Sequence, residues 1–250
     1  MVIHGGGGSD NGMIKLDRKR WQTLADEHGF YVVYPNAVDR LWDFGEGLIS
    51  EGLDNRVDDL AYFKQVIDGV SARKNIDQTR IFATGISRGG QASYYLACNM
   101  PERIRAIAPI TMSLPDFMED ECRAVPPIGI AIINGTADPL VPYDGGWITL
   151  GRKKRGIVLS TDKTLALWRD RNKCSDASTS TSFIDKPGDK TSVNITEWTR
   201  CSGAPVKLYK VNNGGHTWPS GLQYLPVRRV GETSNDINAS EEGWKFFSRF

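Results

Sequence analysis

The five residues Gly85-Ile86-Ser87-Arg88-Gly89 constrain this chain more tightly than any other segment. An apolar run, Arg80–Thr84, precedes them, and an amphipathic stretch over Arg88–Asn99, limited by Pro101, follows. A strand that passes into a helix within one tight turn brings the two backbones nearly into contact. Only residues without side chains fit at that crossing, and Gly85, Gly89 and Gly90 supply them. The turn strains the serine and lifts its hydroxyl out at the helix N-terminus, where partial positive charge collects. Such a unit belongs to a parallel sheet with helices packed on it.

The remaining sequence repeats that alternation. Met1–Ile3 reads as the stub of a buried strand, and His4 with the four glycines Gly5–Gly8 follows as a loop. A helix is expected over Lys15–His28 from the spacing of Trp21, Leu24, Ala25 and His28, with Gly29 as its stop. Phe30–Tyr34 reads as a strand, Ala37–Gly52 as a loop holding Trp42 and Phe44, and Asn55–Ser71 as a second helix. Ile104–Ile110 and Ile128–Ile133 are nearly continuous apolar runs, as strands covered on both faces require. An irregular stretch, Gly135–Ser160, leads to a helix over Thr161–Asn172. Ser175–Lys190, rich in Ser, Thr, Asp and Gly, reads as a surface loop. Strands over Val193–Cys201 and Val206–Val211 and a final helix over Ala239–Phe250 complete the chain. The expectation is an α/β fold, a mainly parallel central sheet with helices on both faces, in one domain over residues 1–250. A sheet of this kind normally has strands before its first strand here, so N-terminal strands are expected to be missing or dispensable.

Ser87 is the expected nucleophile. It needs a base, and the chain holds only three histidines. His216, in the Gly-rich loop beyond the Val206–Val211 strand, can swing over a neighbouring turn. His28 sits at a helix end, and His4 is placed to hold the glycine loop. In the chain order serine, carboxylate, histidine, the acid is expected at Asp138, just past the Ile128–Ile133 strand, where open α/β sheets carry their sites. Asp144 is the runner-up and Asp116 ranks behind it. The carboxylate would fix the imidazole tautomer and stabilise the imidazolium. The backbone N–H groups of Arg88 and Gly6 are the expected oxyanion donors. Trp218, two residues from the base, with Trp42 and Phe44, is expected to form an aromatic substrate wall. No long apolar segment could serve as a lid, so short acyl and aryl esters are the expected substrates.

Composition removes several other classes. Thirty-one Lys and Arg against thirty Asp and Glu leave a net charge of +1, which gives no general attraction to nucleic acid or an anionic membrane. No apolar run approaches the ~20 residues of a membrane span, and no signal peptide is visible at Met1. Four cysteines without a CxxC pair argue against zinc and fit disulfides, with three pairings open. No cofactor is expected. The basic run Arg152-Lys153-Lys154-Arg155 reads as a solvated loop, with an anion-attracting lip as the sharper alternative. Asn194-Ile195-Thr196 and Asn238-Ala239-Ser240 match glycosylation acceptors.

Taken in order, His4-Gly5-Gly6-Gly7-Gly8, Tyr34-Pro35-Asn36 with Trp42, Asp58-Asp59-Leu60, the Ser87 turn with Gly90, Gly135-Thr136-Ala137-Asp138 with Val141-Pro142-Tyr143, and His216-Thr217-Trp218-Pro219 resemble the polyhydroxybutyrate depolymerase and feruloyl/acetylxylan esterase family, of the carbohydrate esterase family 1 type. The resemblance runs from about Val2 to Pro219. It implies an α/β-hydrolase fold and a secreted, cofactor-free serine esterase with Ser87, Asp138 and His216 as triad. It further implies the pairings Cys98–Cys122 and Cys174–Cys201. The sequence departs from the family in lacking the first strands and a secretion signal. The substrate implied is a feruloyl or acetyl ester on plant cell-wall polysaccharide, with an aliphatic polyester as the alternative. A peptidase using the same triad and a non-catalytic binding module are the remote readings.

Overall fold

The computed structural model describes residues 1–44, 57–176 and 179–250. Five parallel strands form the spine of the sheet: β1 (Val2–Ile3), β2 (Phe82–Ile86), β3 (Ala106–Ile110), β4 (Gly129–Gly135) and β9 (Val206–Asn212). Between β4 and β9 in sequence lie a separate antiparallel hairpin, β5 (Gly146–Leu150) with β6 (Lys153–Val158), and two strands that extend the main sheet. These are β7 (Thr179–Ile184) and β8 (Ser192–Trp198), which run antiparallel beyond β9, giving the order β1-β2-β3-β4-β9-β8-β7.

Burial follows the period-2 geometry of a strand. Ile107, Ile130 and Ile132 face one apolar layer, shared with α3 (Asp59–Ser71), α4 (Arg88–Asn99) and α6 (Thr161–Arg171). Ala106, Ala108, Ile110, Ala131 and Ile133 face the other, shared with α1 (Asp10–Leu16), α2 (Arg20–His28) and α8 (Ala239–Phe247). Both faces are thus covered, which is why β3 and β4 are apolar along their whole length.

Two short helices, α5 (Glu119–Ala124) and α7 (Val227–Val230), complete the set among the described residues. Cys98 of α4 is bonded to Cys122 of α5, and Cys174 after α6 to Cys201 after β8. The bridges close sequence separations of 24 and 27 residues. By loop-closure entropy each is worth about 3.5 kcal/mol.

Four expectations change. The single helix over Lys15–His28 is two helices, because the buried Asp17 carboxylate accepts the N–H groups of Lys19 and Trp21. Arg18 and Lys19 there take positive φ, which ends α1. Phe30–Tyr34 joins no sheet; Val33 C=O accepts Val2 N–H at 2.8 Å, and a two-residue β1 offers little more to pair with. The irregular stretch after Gly135 contains the β5–β6 hairpin, closed by Gly151 at φ +62° and Arg152. The Ser/Thr-rich surface loop contains β7, an exposed edge strand whose polar side chains suit an unpaired edge. Much of the expected Ala37–Gly52 loop and the start of the second helix at Asn55 lie outside the described residues.

Candidate active site

Ser87 sits between β2 and α4 with φ 57° and ψ −121°, a strained conformation for any side chain but glycine. Its N–H donates to Ile110 C=O at 2.9 Å, tying the turn to β3. The glycines work as the motif requires: a Cβ on Gly89 would lie 2.1 Å from Ile3 C=O oxygen, and one on Gly85 2.5 Å from the same atom.

Asp138 follows β4 by three residues, and its side chain is buried. One carboxylate oxygen accepts the N–H groups of Leu140 (2.8 Å) and Val141 (2.9 Å), and the other lies 2.7 Å from His216 Nδ1. A carboxylate only accepts, so Nδ1 carries the proton and Nε2 is left available to the cavity. Asp144 and Asp116 are exposed turn and helix-end residues.

His216 is held from its own backbone. Its N–H donates to Val230 C=O at 2.5 Å, and its C=O accepts the Tyr224 hydroxyl at 3.0 Å. The loop can come this close to Val230 and Gly231 because Gly215 has no side chain; a Cβ there would lie 2.1 Å from Val230 C=O oxygen. The Asp138 loop is fastened to the His216 loop by Ala137 N–H to Gly214 C=O at 3.0 Å.

Ser87 and His216 line one cavity of about 670 Å³. Gly5–Gly8 line it too. Gly7 N–H donates to Arg40 C=O and Gly8 N–H to Gly5 C=O, whereas Gly6 N–H and Arg88 N–H have no partner among the described residues. Two free donors at a cavity that contains the serine are placed where an anion could accept from both. His4 shapes that loop: Nδ1–H donates to Gly5 C=O at 2.8 Å and Nε2 accepts Ala37 N–H at 3.2 Å. Burial holds its pKa below the usual imidazole range.

Comparison with known proteins comes at this point. No family profile matches the chain. Among curated proteins it is 27% identical over 261 aligned positions to NocK of Nocardia uniformis subsp. tsuyamanensis, provisionally named an esterase, covering 98% of this chain and 72% of that one. It is 28% identical over 167 residues to feruloyl esterase B of Piromyces equi, covering 66% of this chain and 30% of that one. It is 27% identical over 199 residues to the bifunctional acetylxylan esterase/xylanase XynS20E of Neocallimastix patriciarum, covering 79% and 26%.

All three of these relatives carry the name esterase. Except for NocK, these relatives are far longer than the segment matched. Among solved structures, acetyl xylan esterase from Aspergillus awamori superposes with a TM-score of 0.58 at 13% identity, over 99% of this chain and 87% of that one. Esterase PE8 gives 0.52 at 14% identity, over 88% and 84%. The fold is α/β-hydrolase-like.

The expected aromatic wall is corrected. Trp218 is buried and donates its indole N–H to Ser240 Oγ at 3.2 Å. Trp42 is fully buried, stacked on Phe63 with centroids 5.0 Å apart, and its indole N–H donates to His4 C=O at 2.9 Å. Phe44 is buried between Tyr95 and the Arg88 guanidinium. None of the three lines the cavity; large aromatic surfaces beside a loop gain more by entering the core than by facing solvent. The walls are aliphatic instead, with Leu16, Leu41, Leu140, Ile148 and Leu225, and Tyr224 as the phenol among them.

One cavity residue escapes sequence reasoning, and a second is singled out there only as part of the basic run. Tyr224, which both lines the cavity and bonds the His216 backbone, stands in a stretch with no periodicity. Arg155 reaches the cavity from the basic run.

Proposed function

We propose that this chain is a carboxylic ester hydrolase that works through an acyl-enzyme. The observation that carries the reading is the buried 2.7 Å contact of Asp138 with His216, which lines one cavity together with the strained Ser87. Ser87 Oγ attacks the ester carbonyl as His216 Nε2 takes its proton, and the Asp138 carboxylate stabilises the imidazolium. The tetrahedral oxyanion is received by the N–H groups of Gly6 and Arg88 at the N-terminus of α4. The imidazolium protonates the departing alcohol. Water, deprotonated by His216, then attacks the acyl carbonyl and releases the acid and Ser87.

The substrates we assign are feruloyl or acetyl esters of plant cell-wall polysaccharide. That choice is supported by the names of the relatives rather than by an aromatic wall. The aliphatic lining favours short aliphatic acyl groups equally, which keeps a hydroxybutyrate-type polyester as the second reading. Two disulfides support an oxidising, extracellular setting.

The test compares wild type with Ser87→Ala on methyl ferulate, an acetylated xylo-oligosaccharide, short p-nitrophenyl esters and a polyhydroxybutyrate suspension. Turnover of the first two, with loss of several orders of magnitude in kcat on Ser87→Ala, is expected. Turnover of the polymer alone would select the second reading. Activity unchanged in Ser87→Ala would remove the mechanism.

A further inference from the structure

The basic run Arg152–Arg155 is not a uniform solvated loop. Its last member stands on β6 at an irregularity of the hairpin. Trp147 pairs with Ile157 and Thr149 with Lys154, so Ile148 alone opposes two residues, Arg155 and Gly156. That is a β-bulge, and Gly156 at φ +115° makes it possible. A bulge turns a side chain away from the alternation of its strand. Lys154 takes the outer side, its ammonium 4.5 Å from the Trp147 ring centroid. Arg155 lines the cavity of Ser87 and His216 beside Ile148 and Leu150.

Inside that cavity Arg155 is a cation without a counter-ion among the described residues. It forms no ion pair among the described residues, and its Nε is buried with no hydrogen-bond partner. No Asp or Glu side chain lines the cavity among the described residues. The other arginine at the cavity, Arg88, is committed elsewhere: its guanidinium donates to Trp42 C=O, and the Asp43 and Asp59 carboxylates offset its charge. A guanidinium on an aliphatic wall, with a donor left unpaired, calls for an acceptor that arrives with the ligand, and a carboxylate matches its planar fork.

Resting on the esterase reading, we infer that Arg155 is a specificity-determining residue that binds a carboxylate carried by the substrate. The preferred esters are then those bearing a carboxylate within reach of the scissile bond, either on the acyl side, as in a dicarboxylic hemiester, or on the alcohol side, as in an acylated uronic acid.

Matched pairs test this. On the acyl side the pair is p-nitrophenyl hemiglutarate against p-nitrophenyl valerate; on the alcohol side it is acetylated methyl glucuronoside against acetylated methyl glucoside. In wild type at low salt, kcat/KM is expected to favour the anionic member in one of the two pairs, which also identifies the side. Arg155→Gln should lower that anionic-to-neutral ratio about tenfold, the value of a charge-assisted hydrogen bond, and Arg155→Lys should restore part of it. The ratio should also fall with added salt. Calorimetry with free glutarate and glucuronate gives a readout independent of turnover, with saturable binding expected in wild type and lost in Arg155→Gln. No anionic preference in either pair, or an equal loss on both members in Arg155→Gln, would overturn the inference while leaving the esterase reading intact. Absence of turnover on every ester would overturn the esterase reading, and the calorimetry would then decide whether Arg155 takes a carboxylate.

Discussion

Gly89→Ala separates the role of a glycine in a crossing from its role in a helix. At most helix positions this substitution stabilises, because alanine is favoured by about 1 kcal/mol. At Gly89 the new Cβ would lie 2.1 Å from the Ile3 carbonyl oxygen and 2.8 Å from that of His4. A carbon–oxygen contact tolerates roughly 3.0 Å, so α4 must retreat from β1 by about 0.9 Å. Neither oxygen can rotate aside. Ile3 is paired with Gly85 in the sheet, and the carbonyl of His4 accepts the Trp42 indole N–H. Overpacking costs about 1–3 kcal/mol, which outweighs or cancels the helix preference and leaves a net loss of up to about 2 kcal/mol. The retreat also moves Ser87 and Arg88 N–H relative to Gly6, and a misplacement near 1 Å is worth about 10²-fold in kcat.

Gly69→Ala is the internal control. It lies within α3, and its nearest new contact, at 3.3 Å, is the mobile end of Arg73. There a stabilisation of about 0.5–1 kcal/mol is expected. Urea unfolding by circular dichroism and kcat on p-nitrophenyl acetate give both readouts. If Gly89→Ala is stabilised as Gly69→Ala is, with kcat unchanged, the crossing does not constrain the site.

Asp138→Asn should keep KM and lower kcat by about 10³–10⁴, because an amide facing Nδ1 no longer enforces the productive tautomer; a loss confined to KM would contradict the assignment. Stability should respond to pH in two opposed windows. His4 is buried neutral, its folded pKa below its unfolded value, so the stability it contributes is full above about pH 6.5 and is lost as pH falls below that. Burial raises the Asp17 carboxyl to about 6, so its contribution is full below about pH 4 and is lost as pH rises through 6. Asp17→Asn should therefore flatten the fall in Tm between pH 4 and 6 while leaving the acidic side of the His4 window in place; an unchanged Tm profile would show that Asp17 does not titrate there.

What is legible in this sequence is what backbone sterics dictate. The strand, turn and helix around Ser87 follow from glycines that close approach requires, and β3 and β4 follow from apolar runs that only double coverage explains. Asp138 is singled out by its place after a strand, and its carboxylate lies within bonding distance of His216. Side-chain direction is a different matter. Trp218 is two residues from His216 in sequence yet points into the α8 layer, because a loop has no fixed side-chain period and its buried indole finds an acceptor at Ser240 Oγ. β7 hides in a Ser/Thr-rich composition because an edge strand with two wet faces carries no hydrophobic period. The break at Asp17 depends on a carboxylate capping the next helix from within, visible in sequence only as the apolar gap Asp17-Arg18-Lys19-Arg20. The basic run points to Arg155 only as a group; what distinguishes it from its neighbours is the glycine directly after it inside a strand-like alternation, which marks a bulge.

The side chain of Arg88 gives the proposed anion-binding corner its coherence. Arg88 offers its backbone N–H to the cavity, but its guanidinium turns back and donates to the Trp42 carbonyl. The Trp42 indole donates to the His4 carbonyl, and the His4 ring bonds the backbone at Gly5 and Ala37. Ile3, next to His4, lies against Gly89, one residue from where this circuit starts. The two N–H groups at Gly6 and Arg88 are therefore held by one closed set of contacts rather than by two independent loops. Burying the guanidinium is costly enough to draw its pKa down to about 10. The cost is partly offset by Asp43 and by Asp59, whose carboxylate accepts Asp43 N–H at 2.5 Å and is itself raised to about 6 by burial. A neutral residue at position 88 would fold with less desolvation. It would also leave the Trp42 carbonyl unbonded and the glycine loop free to drift, and donors that drift must be reordered at each turnover, whereas donors fixed in advance stabilise the developing oxyanion without that expense.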